Sequence, residues 1–312
     1  MLHITDAMVD AAVTPLAAQA VLRNAFLDLA RGEAAMQARK RTQASGVKLS
    51  TLGAVIPGQG HAGAKVYTTI EGKFSFVIVL FSSRTGQPLA TVDAGALTRI
   101  RTAACTTLVA QRLAPRGART LGLFGAGTQG AEHAVQLSRA LPLGRILVSD
   151  PYLSPQACAA LQERTGLTVQ AAQAEEVARQ ADVIVTASRS TTPLFEGAWL
   201  RPGVLVAAIG SSLPTTRELD DATLRRARIV IAEWQPQTWE EAGDFILAAD
   251  GALDPDRVVD LGVYLTDPKA VDDTLPPENG RDIHLYKSVG VGLEDIALAG
   301  HAYETIVAAS RG

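Results

Sequence analysis

Residues 120–141 constrain the fold of this chain more than any other stretch. An apolar run typical of a strand ends at Gly125, glycines recur at positions 127 and 130, and apolar residues at helical spacing follow. In a strand–turn–helix unit, Gly125 permits the tight turn, Gly127 lets the backbone approach a pyrophosphate, and Gly130 lets the helix pack close to the strand. The pattern predicts a dinucleotide-binding turn, with the anion at the free amides of the helix N-terminus.

An acidic residue stands where such a turn needs one. Residues 145–150 predict the next strand, and Asp150 lies twenty residues beyond Gly130. A carboxylate there accepts hydrogen bonds from an adenosine ribose and repels a 2′-phosphate. The sequence therefore predicts NAD as the cofactor, with NADH preferred over NADPH.

Three further apolar runs are typical of buried parallel strands, at residues 182–188, 204–210 and 228–233. With the helical connections between them, they predict an α/β fold with a doubly wound parallel sheet. The ligand crevice of such a sheet lies beyond the carboxyl ends of its strands. We therefore expect cofactor neighbours among the small residues at two of these ends, although ordinary strand-to-loop caps explain them equally well. They are Thr186, Ser188, Gly210, Ser211 and Ser212.

The regions on either side predict a second domain. Thr14 and Pro15 are typical of a helix start, and the helix is expected to stop at Gly32. A basic cluster at residues 36–42 leads into a mixed or antiparallel sheet, a connecting helix and, at the end of the chain, an apolar-striped helix. The predicted strands are 48–56, 64–70, 74–82 and 88–92, and the predicted helices are 94–114 and 293–309.

Composition excludes several classes of protein. The 312 residues carry 29 basic and 32 acidic side chains without a basic block, which argues against a nucleic-acid partner. No apolar run is long enough to span a bilayer, and the first residues do not resemble a signal peptide. Cys105 and Cys158 are too few for a disulfide framework or a cysteine zinc site, so we predict no metal and a reducing cytoplasm.

Five motifs in fixed order resemble those of the ornithine cyclodeaminase/mu-crystallin family. They are GAKV at 63–66, LTRIRTAAC at 97–105, FGAGTQ at 124–129, GSSLP at 210–214 with REL at 217–219, and KSVGVGLED at 287–295. The resemblance implies a homodimer in which a Rossmann domain, residues 114–289, is inserted in a discontinuous α+β substrate-binding and dimerisation domain, residues 1–113 and 290–312. It also implies a nicotinamide cofactor and a small amino-acid, imino-acid or cyclic ketimine substrate.

The resemblance also implies roles for individual residues. Lys65 matches the lysine that binds substrate, and Arg41 the arginine that meets the substrate carboxylate, with Arg39 as a possible substitute. Arg101 matches an arginine against the cofactor phosphates, near substrate. The remaining matches are cofactor contacts: Thr128, Gln129, Asp150, Thr186 and Ser288.

General chemistry supports the cationic residues. An arginine fork such as that of Arg41 fixes a carboxylate with two charge-assisted bonds. A lysine whose pKa is lowered by a neighbouring arginine can also protonate a nitrogen, which gives Lys65 a catalytic role. His61, four residues before Lys65, is an alternative acid. A four-carbon diacid needs a second cation, which Arg39, Lys48 or Arg101 can supply.

One departure from the family pattern guides the functional hypothesis. Cyclodeaminases of the family carry an aspartate where this chain has Ser212. The sequence therefore favours an NAD(P)H-dependent imine reductase that makes an L-amino acid from pyrroline- or piperideine-2-carboxylate, or from linear iminosuccinate. The alternatives are amino-acid dehydrogenation or ornithine or lysine cyclodeamination with bound NAD, and a non-catalytic, crystallin-like ligand-binding protein.

Overall fold

A computed structural model of the protein describes residues 1–276 and 278–311. Pro277 and Gly312, which the predicted domain ranges include, lie outside the described residues. The chain divides into two units, which we call unit 1 (residues 1–105 and 290–312) and unit 2 (residues 106–289). The division falls inside the helix Gly95–Leu113, and the boundary predicted from the sequence lies at the end of this helix.

Unit 1 contains a sheet whose strands, in the part of the chain that the structure describes, lie in the order β1-β6-β5-β4-β3-β2. Strands β2 to β6 pair antiparallel, and β1 pairs parallel with β6. The strands are β1 Leu2–Ile4, β2 Ala35–Ala44, β3 Val47–Ile56, β4 His61–Ile70, β5 Lys73–Ser82 and β6 Pro88–Asp93. The mixed, mainly antiparallel sheet was expected.

The basic cluster at residues 36–42 is itself a strand, which the sequence pattern did not predict. It forms most of β2, at the edge of the sheet. An edge strand tolerates charged side chains because they discourage pairing with other chains. The apolar alternation that identifies a strand is therefore missing from β2.

Helices cover one face of this sheet. α1 (Asp6–Ala12) and α2 (Pro15–Ala30) both pack on the last helix, which we number α12 (Gly292–Ala309), and α12 packs on β2, β3, β4 and β5. As predicted, α2 begins at Pro15, with the Thr14 hydroxyl accepting from the Ala17 amide. Gly292 permits the close approach of α12, because a Cβ at this position would lie 2.5 Å from the Gly53 carbonyl oxygen.

Unit 2 contains the predicted doubly wound sheet. In its described residues the strands are all parallel, in the order β13-β12-β14-β11-β10-β7-β8-β9. They are β7 Thr120–Phe124, β8 Arg145–Ser149, β9 Thr168–Ala171, β10 Val183–Thr186, β11 Leu205–Ala208, β12 Ala227–Ala232, β13 Val258–Asp260 and β14 Ile283–Lys287. The last strand of the sequence, β14, thus lies between β11 and β12.

Helices connect these strands. With α3 as the helix Gly95–Leu113, the helices of unit 2 are α4 Thr128–Ala140, α5 Pro155–Thr165, α6 Ala174–Gln180, α7 Asp221–Arg226, α8 Gln235–Glu241, α9 Gly243–Ile246, α10 Leu261–Thr266 and α11 Pro268–Thr274. The core of unit 2 is built from the apolar strands and the helices on them. Across residues 1–276 and 278–311, no helix combines the length and the apolar character needed to cross a membrane.

Candidate functional site

Lys65 of β4 is a buried cation in unit 1. Its side chain is 3% exposed and lies on the sheet face that α12 covers. The ammonium donates to the Thr98 hydroxyl at 2.5 Å, lies 3.3 Å from Asp295 Oδ1, and sits 4.5 Å from the centroid of the Phe76 ring. Lys65 is therefore held by a hydroxyl, a carboxylate and an aromatic face, and is not a solvated strand lysine.

The surroundings of Lys65 lower its pKa to about 8. Burial is the largest cause, because it penalises the charged form. Asp295 opposes this effect, while the positive charges of Arg101 and Arg39 add to it. The sequence hypothesis that a neighbouring arginine lowers this pKa is confirmed for Arg101 and Arg39, although burial is the larger cause.

Arg101 is the second buried cation of this cluster. Its guanidinium pairs with Glu294, and its Nε lies 3.3 Å from the same Asp295 oxygen that faces Lys65. Both carboxylates stand in the first turn of α12, where the helix dipole favours negative charge. Lys65, Arg101, Glu294 and Asp295 thus form one buried group of charges in unit 1, which we call the Lys65 cluster. As a contact to cofactor phosphates, Arg101 stays a prediction.

Sequence reasoning missed the two acids of the Lys65 cluster. Glu294 and Asp295 are both fully buried, at 0% exposure. The available signal was a pair of acids at the start of an otherwise apolar helix, inside the motif KSVGVGLED at 287–295.

Arg41 lies on the same sheet face as Lys65. It stands opposite Ser50 of β3, and Ser50 stands opposite Tyr67 of β4. Tyr67 is two residues from Lys65, and alternate residues of a strand share a face. The half-buried Arg41 is therefore placed beside the row of the sheet that contains Lys65.

Arg39 also reaches this region. It donates to the Gly290 carbonyl oxygen at 2.7 Å, and its charge lowers the pKa of Lys65. A register shift in β2 falls between Gln37 and Lys40, next to Arg39. The structure thus brings Arg39 close to the Lys65 cluster and places Arg41 on the same sheet face.

His61 does not share the position of Lys65. The two residues are separated by about 13 Å along β4, at 3.3 Å per residue. The buried His61 ring packs against Gly300 and lies 3.5 Å from the exposed Glu304 carboxylate, toward the far end of α12. Burial lowers the pKa of His61. The hypothesis that His61 serves as the acid near Lys65 is therefore wrong, because the two residues are too far apart.

The glycine turn of unit 2 has the predicted geometry. Gly125 adopts φ +94°, in the region that favours glycine, and a Cβ on Gly130 would lie 1.9 Å from the Gly125 carbonyl oxygen. A Cβ on Gly127 would meet nothing within 4 Å. Gly127 and Thr128 are exposed, and no side chain of the described residues caps the start of α4. Its first amides, including that of Gln129, are thus aimed where an anion can bind.

Asp150 completes this turn. Its Oδ2 accepts from the Ala126 amide and its Oδ1 from the Tyr152 amide, both at 2.8 Å. A carboxylate oxygen has more than one acceptor position, so Asp150 can also accept from a ribose hydroxyl. The open surface at Gly127, the uncapped helix start and the adjacent acid fit a dinucleotide.

The small residues at the ends of β10 and β11 surround a carboxylate that the sequence did not single out, Glu218. The bonds to it come from the Thr186 hydroxyl, both the amide and the hydroxyl of Ser188, and the amides of Gly210 and Ser211. Burial raises the pKa of Glu218, whereas Lys287 and Ser188 lower it.

These bonds change the interpretation of the predicted cofactor contacts. Thr186 and Ser211 are fully buried, and the Ser211 hydroxyl donates to the Thr216 carbonyl oxygen. Ser288 is 2% exposed, and its hydroxyl donates to Glu233 at 2.6 Å. These three side chains lie behind the surface that a ligand can reach, and a direct contact by them stays a prediction. Ser212 is partly exposed.

The doubly wound sheet, the glycine turn and Asp150 define a dinucleotide-binding α/β protein. The sequence model of the ornithine cyclodeaminase/mu-crystallin family matches residues 5–310, and the chain belongs to this family.

Three relatives illustrate what the chain is similar to. A Delta(1)-pyrroline-2-carboxylate reductase from Bacillus cereus is 30% identical over 267 residues, which are 84% of this chain and 77% of the reductase. The solved structure of a probable ornithine cyclodeaminase from Bordetella pertussis Tohama I is 60% identical, with a TM-score of 0.95 and coverage of 99% of this chain and 98% of that one. The iminosuccinate reductase of Paracoccus denitrificans, solved in complex with NAD+, is 25% identical, with a TM-score of 0.89 and coverage of 99% and 97%. The chain is an oxidoreductase-type enzyme.

Proposed function

We propose that this protein is an NADH-dependent reductase that converts an α-imino acid to the L-amino acid. The observation that carries the proposal is Lys65, a buried lysine whose pKa lies at about 8 and which shares a sheet face with Arg41. The substrate is a cyclic ketimine, pyrroline- or piperideine-2-carboxylate, or the linear iminosuccinate. Reductases of the first and last kinds occur among the relatives.

The substrate carboxylate calls for a fixed cation. Arg41 presents a planar fork that matches a carboxylate with two parallel bonds. Arg39 and Arg101 lie close to the same region and are the candidates for the second cation that a diacid requires. A substrate fixed by its carboxylate has one reacting carbon in a defined place, which lowers the entropic part of the barrier.

Lys65 supplies the proton. With a pKa of about 8, it is mostly protonated at neutral pH, yet it releases a proton far more readily than an exposed lysine. NADH, when bound, would supply the hydride for the imine carbon and would itself be oxidised to NAD+. Lys65 donates a proton to the imine nitrogen, which completes the C–H and N–H bonds of the amine. Asp295 favours the charged lysine and so promotes its reprotonation from water.

Asp150 supports the choice of NADH over NADPH. A carboxylate repels a 2′-phosphate and accepts from a 2′-hydroxyl. Its two backbone bonds, at 2.8 Å each, hold it at the glycine turn.

The other face of the unit 1 sheet supports a homodimer. Five large apolar residues on it, opposite the Lys65 side, are 37–48% exposed: Val47, Leu49, Val55, Ile70 and Phe81. Large exposed apolar residues on one face of a sheet are typical of a protein interface. Cys105 and Cys158 are both free thiols, which suits a protein of the reducing cytoplasm.

Cyclodeamination with bound NAD is the second candidate, and the 60% identity to the probable ornithine cyclodeaminase favours it. Ser212 speaks against it, because this position offers no carboxylate to assist loss of ammonia. Glu218 lies behind the loop that contains Ser212, but its oxygens are occupied by that loop and by the end of β10.

The test is a screen of NADH oxidation with the two cyclic imines and with oxaloacetate plus ammonia. We expect imine-dependent oxidation, and Lys65→Met should reduce turnover about 100-fold or more while NADH binding is kept. Lys40→Met, at an exposed position on the opposite face of the sheet, is the matched control and should leave turnover unchanged. Ammonia release from ornithine without reduced cofactor would favour cyclodeamination, and inactivity with every imine would refute the proposal.

A further inference from the structure

A chain of buried charges links three strand ends in unit 2. The Lys287 ammonium, at the end of β14, donates to Asp244 Oδ2 at 2.8 Å and to the Ala208 carbonyl oxygen of β11 at 3.3 Å. The Asp244 Oδ1 atom accepts from the amides of Glu218 and Leu219, at 2.7 and 3.0 Å. Lys287, Asp244 and Glu218 all have 0% exposure. Asp244 thus fixes the backbone from which the Glu218 side chain projects.

The Glu218 carboxylate then ties two loops together. Its Oε1 accepts from the amide and the hydroxyl of Ser188, both at 2.7 Å. Its Oε2 accepts from the Thr186 hydroxyl and the Gly210 amide, both at 2.7 Å, and from the Ser211 amide at 3.2 Å. Thr186 ends β10 and residues 187–188 follow it, while residues 210–212 follow β11. One side chain therefore sets the spacing of both loops.

These loops adjoin the glycine turn. The Ala187 amide donates to the Phe124 carbonyl oxygen at 2.8 Å. A Cβ on Gly125 would lie 2.7 Å from the Ala187 carbonyl oxygen, so the turn and the loop touch. Residues 187–188 therefore lie next to the glycine turn, on the side of β7 away from Asp150.

The strand order shows which half of a dinucleotide meets these loops. Asp150 follows β8, on one side of β7, whereas β10 and β11 lie on the other side. With the pyrophosphate at the end of β7 and the adenosine ribose at Asp150, the remaining half extends over the ends of β10 and β11. That half carries the nicotinamide.

We propose that Glu218 is a positioning residue for the nicotinamide half of the cofactor. It acts by holding the loops at 186–188 and 210–212 at a fixed spacing. The inference rests on the proposed NADH-dependent function. Glu218 itself does not touch the ligand, because its carboxylate is fully buried behind the two loops.

The test compares NADH with ADP-ribose, which carries the adenosine, pyrophosphate and ribose but no nicotinamide. In Glu218→Gln an amide NH₂ replaces one acceptor and faces donors, so the loops lose their common anchor without a change in side-chain size. We expect the Kd for NADH to rise about tenfold and the Kd for ADP-ribose to stay within about twofold. Isothermal titration measures both, with the Tm recorded for each variant.

Two further variants serve as a control and as a conservative replacement. Glu132→Gln is the matched control, since Glu132 is a buried carboxylate of α4 that pairs with Gln136 and Arg164; both Kd values should stay at the native level. Glu218→Asp keeps the charge but withdraws the oxygens by one methylene. It should show a smaller loss of NADH affinity, and it replaces Glu218→Gln if that variant does not fold.

Equal weakening of both ligands, or native NADH affinity in a folded Glu218 variant, would overturn the inference and leave the proposed function intact. Failure of the native protein to bind NADH would instead overturn both. A selective loss of NADH affinity supports the positioning role.

Discussion

Replacing Asp295 by Asn should move the pH range in which the enzyme works. Asp295 is the nearest carboxylate to Lys65, with 3.3 Å between Oδ1 and the ammonium, and it opposes the burial that lowers the pKa of Lys65 to about 8. Asn has nearly the same size but no charge. Without the carboxylate, the protonated lysine loses its principal stabilising partner, so it deprotonates at lower pH.

The size of the effect follows from the geometry. Two unit charges 3.3 Å apart interact by about 5 kcal/mol at an effective dielectric constant near 20, and this is an upper bound. Arg101 shares the same Asp295 oxygen, which reduces the part that acts on Lys65. About 1.4 kcal/mol corresponds to a tenfold change in a protonation equilibrium. We therefore expect the alkaline limb of the pH–rate profile to move down by about one pH unit.

The direction in which the pH–rate profile moves follows from the role of Lys65. A proton donor is active below its pKa, so native kcat/KM should fall as pH rises through about 8. In Asp295→Asn the fall should begin lower, and the rate at about pH 7.5 should drop about threefold or more.

The assay is kcat/KM against pH, from about pH 5.5 to about pH 10, with NADH and the imine that the screen identifies. Asp10→Asn is the control, because the Asp10 side chain is 52% exposed and pairs with Arg99, so its loss should not affect the alkaline limb. An alkaline limb that stays in place or moves upward in a folded Asp295→Asn protein would refute the assignment of Lys65 as proton donor.

Two further predictions concern the glycine turn. Gly130→Ala should lower the Tm by several degrees, because its Cβ would lie 1.9 Å from a carbonyl oxygen. Gly127→Ala should leave the Tm nearly unchanged, because its Cβ meets only open space. The same Cβ should weaken NADH binding, because Gly127 lets the backbone approach the pyrophosphate. Thermal scans and NADH titrations check this pair, and equal Tm losses would contradict it. Asp150→Ser should weaken the use of NADH relative to NADPH by removing both the ribose acceptor and the repulsion of a 2′-phosphate. The ratio of kcat/KM for the two cofactors measures the effect, and an unchanged ratio would disprove the ribose assignment.

Features that depend on residues close together in the chain could be predicted from the sequence. The start of α2 at Pro15, the glycine turn at 125–130 and the acid after β8 follow from local backbone chemistry and short spacings. The same holds for the apolar strands of unit 2, because a strand buried on both faces needs an unbroken apolar run. The doubly wound sheet could be predicted on these grounds.

Contacts between residues that are distant in the chain could not be predicted in this way. Strand β14 lies between β11 and β12, and Asp295 lies beside Lys65 although 230 residues separate them. Glu218 faces the ends of β10 and β11 from a loop that carries no apolar pattern. Such contacts depend on strand order and helix packing, and the free energy of a buried charge depends on the partners that the whole fold supplies. The candidate site depends on a lysine whose pKa is lowered by burial. This property therefore exists only in the folded chain.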